Sequence, residues 1–360
     1  MRLTIVATDL PHPEGTAVGR CLWAWCEGTR ALGHDLEVWV WHKSRYSPDG
    51  PWPEWCVFEP LESRRWPTWR EHLYSLFRPR MAVARAAWHP PEDGFVVADE
   101  AASSPAVEGL ANSATAIHYS PVADAIALRS FRLSLVQDVR AETRAARKTG
   151  VVLAHSPRVA RYLWPGARFF PVGIPLPAEP LAPVDAPVAA LMADWSFAPN
   201  QAALAHLLAA WPSVRDAVPA AQLLLFGRAM PEDAIGTLAG VRFVGPVGRS
   251  ADILAQASVL AFPCPGSSGP KIKVLEALSY GLPVVTSRYG VEGLLLKPGE
   301  GAVVAEPRNF AQALAEVLLS PERRDALARS GRAAVEAHHA PIPASQARLD
   351  ILTETLGALA

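Results

Sequence analysis

The 360-residue chain is poor in cysteine: Cys21, Cys26, Cys56 and Cys264 are its four. They form no C-x-x-C pair and no metal-ligand spacing, which argues against a disulfide scaffold or a zinc module and for free thiols in a reducing compartment. An excess of one charge is also missing. Thirty-four Lys and Arg against 35 Asp and Glu leave a formal charge of −1, so neither a nucleic-acid surface nor an acidic solvating tail is indicated. No apolar run approaches the roughly 18 residues of a membrane span. No charged leader is visible either, because Met1 runs straight into the strand-like Leu3-Thr4-Ile5-Val6-Ala7-Thr8. These absences predict a cytoplasmic protein, with peripheral attachment at the inner membrane face left open. Two motifs are absent as well. No G-x-G-x-x-G follows the first strand, and the second ends in Trp41-His42-Lys43 instead of an acidic residue, against a dinucleotide oxidoreductase. No Asp-x-Asp and no cluster with metal-ligand spacing occurs, so no metal cofactor is expected.

What is present is a globular mixture, 50% hydrophobic and 19% charged, long enough for two cores. Short β-branched runs alternate with Ala/Leu/Arg stretches, the pattern of βαβ units and parallel sheets. Strands are predicted near 3–8, 36–41, 94–99, 115–120, 151–155 and 168–172, then near 187–193, 221–227, 241–245, 257–263, 282–286 and 302–305. Helices are predicted over 16–32, 104–112, 139–148, 157–163, 200–211, 250–256, 270–280, 308–318, 321–337 and 343–357. The fold class is α/β, with two doubly wound parallel-sheet domains: 1–173, a proline-rich linker over 174–186, and 187–340, with 341–360 as a C-terminal helix. Residues 42–92 stand apart, rich in Trp (52, 55, 66, 69, 88) and Arg (64, 65, 70, 78, 80, 85). They read either as an acceptor platform or membrane contact, or as a helical insertion with inward aromatics. Arg140, Glu142, Arg144, Arg147 and Lys148 read as a solvated helix face.

The most informative stretch is Phe262-Pro263-Cys264-Pro265-Gly266-Ser267-Ser268-Gly269-Pro270-Lys271-Ile272-Lys273-Val274-Leu275-Glu276-Ala277-Leu278. A buried strand ends, a Gly/Ser loop follows, and Pro270 suits the first position of a helix. Lys271 and Lys273 then fall in its first turn, where they oppose the helix dipole unless an anion is bound. A diphosphate resolves that conflict, held by loop N–H groups and by the lysines. Lys273 and Glu276 lie about 60° apart on one helical face. A cation with a carboxylate one turn deeper suits a nucleoside diphosphate, the lysine meeting phosphate and the carboxylate the ribose hydroxyls. The alternative is an ordinary surface ion pair worth a few tenths of a kcal/mol.

From Ser268-Gly269 through Lys273 and Leu275-Glu276-Ala277 to Gly281, Pro283-Val284-Val285, this stretch resembles the donor-site signature of GT-B glycosyltransferases, and most of all the retaining glycosyltransferase family 4. Ala193 to Asn200, Leu223 to Arg228, Phe243 to Val247 and Glu292-Gly293 resemble the family's other donor-domain segments. The resemblance implies two facing Rossmann-like domains with a nucleotide-sugar donor in the cleft between them, and metal-independent transfer with retention. It implies diphosphate contacts from Lys273, Ser268, Gly269, Lys271 and Arg228, with Gly15 of the loop after the first strand. Glu276 would take the ribose, and Gly245 and Val247 would border the base. His118, on the strand 115–120, matches a histidine that contacts the donor sugar or supports charge at the reacting carbon, and is the catalytic candidate; a backbone-bonded strand-end histidine is the alternative. His155 and Ser156 sit similarly, and His34 is a structural marker. Many members carry a glutamate eight residues before the one matching Glu276; here that residue is Ser268. A carbohydrate, lipid-linked or small-molecule acceptor is implied, and no nucleic acid. A nucleotide-sugar epimerase and a non-catalytic nucleotide-sugar module are the rival readings.

Overall fold

A computed structural model describes residues 1–43, 53–61, 88–129, 135–164, 166–230, 238–266 and 268–357. The chain divides into two compact units, Met1–Pro175 with Pro341–Ala360, and Leu176–Ala340.

In the first unit the described strands are β1 (Arg2–Ala7), β2 (Asp35–Lys43), β3 (Cys56–Leu61), β4 (Phe95–Asp99), β5 (Ser113–Ile117), β6 (Val151–Ala154) and β7 (Arg168–Phe169). They form one parallel sheet in the order β3-β2-β1-β4-β5-β6-β7. Both faces are covered, which is why the strands read as near-continuous apolar runs. Leu3, Ile5, Val38, Val40 and Val97 pack on one face, Val6, Trp41, Val96 and Ala98 on the other. Helix α1 (Ala17–Ala31) begins at Thr16, whose Oγ1 accepts from the Gly19 N–H at 3.0 Å.

Several expectations need correction. β3 lies inside the Trp/Arg-rich stretch and pairs with β2 from Val38↔Cys56 to Lys43↔Leu61. Where that stretch is described its aromatics pack on the unit's own tryptophans: Trp55 lies 5.8 Å from Trp23, and Trp88 5.2 Å from Trp41. Trp52, Trp66, Trp69 and the six arginines of 64–85 lie outside the described residues. The helix expected over 104–112 is a 3-10 turn at Ala101–Ala106, and 157–163 contains a π-type turn, Val159–Leu163. An unexpected helix, α2 (Pro121–Leu128), starts on a legible signal: Ser120 Oγ accepts from the Ala123 N–H at 3.1 Å, and proline occupies the first position. In α3 (Leu135–Lys148) Glu142 is buried, not solvated; its carboxylate accepts from Ser120 Oγ at 2.7 Å and Trp164 Nε1 at 3.0 Å.

The second unit holds β8 (Val188–Asp194), α4 (Ala198–Ala217), β9 (Gln222–Arg228), β10 (Val241–Gly245), α5 (Ser250–Leu254), β11 (Val259–Phe262), α6 (Ile272–Ser279), β12 (Val284–Thr286), β13 (Ala302–Val304), α7 (Phe310–Leu319) and α8 (Pro321–His338). Its parallel sheet runs β10-β9-β8-β11-β12-β13, the same winding as the first. The segment expected as a linker packs on this unit from Leu176 onward: Leu181 N–H donates to the Tyr280 carbonyl at 2.9 Å, and Arg332 reaches the Pro177 carbonyl at 3.0 Å. The last helix, α9 (Pro341–Leu356), belongs to the first unit. Leu349, Leu352 and Leu356 join its core, and Gly28 of α1 lets the Pro341 carbonyl approach so closely that a Cβ would stand 2.0 Å from that oxygen. No disulfide joins the four cysteines. Among the described residues no helix is long and apolar enough to cross a membrane.

Candidate functional site

Doubly wound sheets bind ligands beyond the carboxyl ends of their strands where the strand order reverses. In the second unit that point lies between β8 and β11. The loop after β8 and the loop from β11 to α6 both leave from there, and they carry most of the residues singled out above.

The helix after β11 starts later than expected. α6 begins at Ile272, with Lys271 extended at its N-cap, φ −91° and ψ 92°, so Pro270 and Lys271 precede the first turn. The reason is visible in the side chain. Lys271 is buried, and its ammonium turns back to donate to the Ser268 carbonyl at 3.2 Å and to the Gly269 carbonyl. Lys271 therefore braces the Ser268-Gly269 turn. Lys273 does lie in the first turn of α6. Its Nζ donates to Asn200 Oδ1 at 3.0 Å and sits 4.5 Å from the Phe262 ring centroid. Burial, helped by the neighbouring Lys271 charge, pushes its ammonium down to about 8. A partly desolvated cation held by a neutral amide is a receptor for an anion, since an arriving phosphate restores the charge stabilisation that burial removed.

Glu276, one turn deeper on α6, is 9% exposed, and its Oε1 accepts from the Ser250 hydroxyl at the start of α5. Arg228 ends β9 and is pinned by Asp194 at the end of β8, at 2.7 Å. Asp194 Oδ1 in turn accepts from the N–H and hydroxyl of Ser196, at 3.0 and 2.6 Å. The Ser196 and Arg228 hydrogen bonds hold its carboxyl below the usual range. Gly227 makes this approach feasible: its φ is +126° and a Cβ would stand 1.7 Å from the Ala193 carbonyl. Asn200 ties the two loops, because its Nδ2 donates to the Asp194 carbonyl at 2.8 Å while its Oδ1 holds Lys273. Gly245 ends β10 at the sheet's edge and Val247 follows it, apart from this network; Gly245 has φ +100° and open space where a side chain would be. Lys273, Glu276, Ser268, Gly269 and Lys271 thus share one loop and helix start, joined to Arg228 through Asn200 and Asp194. Asp194, Asn200 and Ser250 were not predicted as site residues, though Pro199-Asn200 is a recognisable helix start.

In the first unit the strand order reverses between β1 and β4. His118 stands one residue past β5 and is 6% exposed. Its Nε2 lies 2.7 Å from Asp99 Oδ1, at the end of β4, where Asp99 is 1% exposed. Burial opposes the charge on His118. The Asp99 and Glu100 carboxyls, with hydrogen bonds to Asp99 and Cys21, outweigh it and hold the imidazole well above the usual histidine range. Burial pushes the Glu100 carboxyl up to about 8, and this residue takes a left-handed φ of 82°, rare for a side chain larger than glycine. Asp9, after β1, is also raised by burial against a hydrogen bond from Thr16. The His155 ring lies 4.5 Å from His118, with Nδ1 3.2 Å from the Phe170 carbonyl. Ser156 Oγ accepts from the Val159 N–H. Gly15 sits in the loop after β1, its N–H on the His12 carbonyl at 3.2 Å. Among the described residues no three His, Cys, Asp or Glu side chains gather in a way that could hold a metal ion.

Two units wound in this order are the GT-B architecture. Sucrose-phosphate synthase of Thermosynechococcus elongatus superposes with a TM-score of 0.75 at 17% identity, covering 100% of both chains. HepE of Anabaena, solved with UDP-glucose, superposes with a TM-score of 0.68 at 16% identity over 99% of this chain and 100% of that one. Residues 190–320 match the family model described as glycosyl transferases group 1. A GDP-mannose-dependent monoacylated alpha-(1-6)-phosphatidylinositol monomannoside mannosyltransferase of Corynebacterium glutamicum is 34% identical over 146 residues. That stretch is 36% of this chain and spans 38% of the relative's length.

Proposed function

We propose that the protein is a glycosyltransferase that moves a sugar from a nucleoside-diphosphate donor to a carbohydrate, lipid-linked or small-molecule acceptor. The observation that carries this is the pair on α6. Lys273 is a desolvated cation on the first turn of the helix, and Glu276 is a buried carboxylate one turn deeper. The match of residues 190–320 to group 1 glycosyl transferases supports it. Lys273, Arg228 and the N–H groups of the Ser268-Gly269 turn and helix start would take the diphosphate, and Glu276 the ribose hydroxyls. Lys271 would act by bracing the turn.

Retention without a metal is the mechanism we infer. The sequence has no Asp-x-Asp, and cationic side chains with helix N–H groups can neutralise the diphosphate. A front-face transfer lets the departing phosphate accept the acceptor's proton, so the protein needs to supply geometry and charge rather than a strong base. His118, kept charged beside Asp99, would stabilise charge near the reacting sugar. The mannosyltransferase relative is GDP-mannose-dependent and HepE was solved with UDP-glucose, which makes GDP and UDP the first nucleotides to test.

The test is a binding and turnover panel on the purified chain with EDTA present throughout. One of UDP, GDP, ADP or dTDP should stabilise it, and the matching nucleotide sugar should be turned over. Lys273→Ala should weaken the diphosphate about tenfold or more, a charge-assisted bond being worth roughly 1.5–3 kcal/mol, and leave the bare nucleoside unaffected. Glu276→Ala should weaken both, and Glu276→Gln should recover part of the loss. A folded Lys273→Ala that binds the diphosphate as the parent does would remove α6 from the donor site.

A further inference from the structure

Asn200 is a neutral residue at a place that suits a charge. It lies in the first turn of α4, and its partner Lys273 in the first turn of α6, so one hydrogen bond of 3.0 Å joins two helix starts. A helix start favours a negative side chain, and a half-buried ammonium favours a carboxylate partner. Aspartate, of nearly the same size, would satisfy both and close an ion pair. The amide instead accepts from one of the three N–H groups of the ammonium and leaves its charge uncancelled.

The direction of the amide is fixed as well. Its Nδ2 donates to the Asp194 carbonyl at 2.8 Å, an oxygen that can only accept, so Oδ1 has to face Lys273. The Asn200 N–H is held in turn by the Phe197 carbonyl at 2.9 Å. The Asp194 carboxylate is engaged elsewhere, by Arg228 at 2.7 Å and by the N–H and hydroxyl of Ser196. The other groups around the Lys273 ammonium come from β11 and the loop after it: the Phe262 ring at 4.5 Å, the Cys264 thiol and the Lys271 ammonium. Lys271 adds a like charge and is itself turned onto the Ser268 and Gly269 carbonyls. The two cations singled out for the diphosphate are thus graded by their partners, Arg228 on a carboxylate and Lys273 on an amide.

We propose that Asn200 is a positioning residue for Lys273: its amide, aimed by the Asp194 carbonyl, holds the ammonium at the start of α6 without neutralising it. The loop after β8 thereby sets how much charge α6 presents to an anion. That the anion is a donor diphosphate rests on the transferase reading above; what Asn200 does to Lys273 does not.

The titration midpoint of Lys273 reads this directly. The chain has five lysines, Lys43, Lys148, Lys271, Lys273 and Lys297, so NMR of the full chain with isotope-labelled lysine resolves them, and Lys273→Met identifies the signal. Asn200→Asp and Asn200→Leu both lose the bond to the Asp194 carbonyl, so a loosened loop would move the midpoint the same way in both. Positioning moves it in opposite directions. Asn200→Asp should raise it from near 8 by about one unit or more, because a carboxylate favours the charged form. Asn200→Leu should lower it by about one unit, a tenfold loss of proton affinity, because the acceptor is gone. Asn200→Ala takes the place of Asn200→Leu where the latter does not fold. Inorganic pyrophosphate, which has neither base nor ribose, tests the consequence. Asn200→Asp should weaken it about tenfold, and Asn200→Leu should weaken it in the parent but no further in Lys273→Met, since the two act in series. Midpoints that shift together, or stay where they are in folded variants, would overturn the proposal. Midpoints that part as described while Lys273→Met binds pyrophosphate like the parent would keep Asn200 as the residue that positions Lys273 and remove α6 from the donor site.

Discussion

Lys273 is the residue on which the proposed donor site turns, and its environment makes a prediction about pH. Its ammonium titrates near 8 in the fold against 10.5 for an ordinary lysine. Between those values the unfolded chain holds a proton that the folded chain has lost, so stability rises with pH across that window. Below pH 8 the cost of burying the charge is fully present. A bound diphosphate removes that cost and restores the proton. Nucleotide binding near pH 8.5 should therefore take up protons that binding near pH 6.5 does not, and affinity should fall as pH rises through 8. Titration calorimetry in two buffers of different ionisation heat measures the uptake. Equal proton uptake in the parent and in Lys273→Met would show that the proton belongs elsewhere. That Lys273 and Glu276 stand together on one helix was legible in the sequence because the relation is local: three positions apart, beside an apolar face. The turn of Lys271 back onto its own loop was not legible, because facing an anion and facing the loop carbonyls differ only in a side-chain rotation that spacing cannot report.

At the scale of elements, the strands of both sheets were legible from β-branched runs, and the winding follows from alternation with helices. β3 was not, since its residues Cys56-Val57-Phe58-Glu59-Pro60-Leu61 carry a proline and lie within a run dominated by Trp and Arg. Glu142 looked solvated because its neighbours are charged, and the Ser120 and Trp164 partners that bury it come from other elements. Asp99 escaped for the same reason, its partner His118 coming from another strand's end. α9 is the element whose position matters most. Its Leu349, Leu352 and Leu356 are all but fully buried in the first unit's core. Losing each costs about 2–5 kcal/mol, against a net stability of about 5–15 kcal/mol for a whole domain. A chain ending at Ala340 should therefore leave the first unit unfolded while residues 176–340 still bind nucleotide. Hydrogen exchange resolves the two: protection should vanish in β1, β4 and β5 and persist in β8, β9 and β11. Persistent protection of β1 without α9 would mean that the first unit closes its core by another route.

For the molecule as a whole, two cores mean two cooperative structures, and a ligand for one need not stabilise the other. The sheets share no strand, each has its own apolar layers, and the chain is cut between Pro175 and Leu176 and again between Ala340 and Pro341. A single melting temperature is then an incomplete description. The proposed nucleotide contacts Lys273, Glu276, Ser268, Gly269 and Arg228 all belong to the second unit, and Gly15 to the first. A nucleoside diphosphate at 100 times its dissociation constant adds about 2.7 kcal/mol to the structure it binds. Scanning calorimetry with nucleotide should raise the transition of the second unit by a few degrees. The first unit's transition should move far less, since one loop glycine is its whole assigned share. Glu276→Ala should cancel the shift without altering the first unit's transition. Leu352→Ala, in the first unit's core, should do the opposite, lowering the first unit's transition and leaving the nucleotide-induced shift in place. If nucleotide instead raises both transitions equally, and Glu276→Ala cancels both, the two cores unfold as one and binding energy is shared between them. The assignment of nearly all nucleotide contacts to the second unit would then have to be withdrawn.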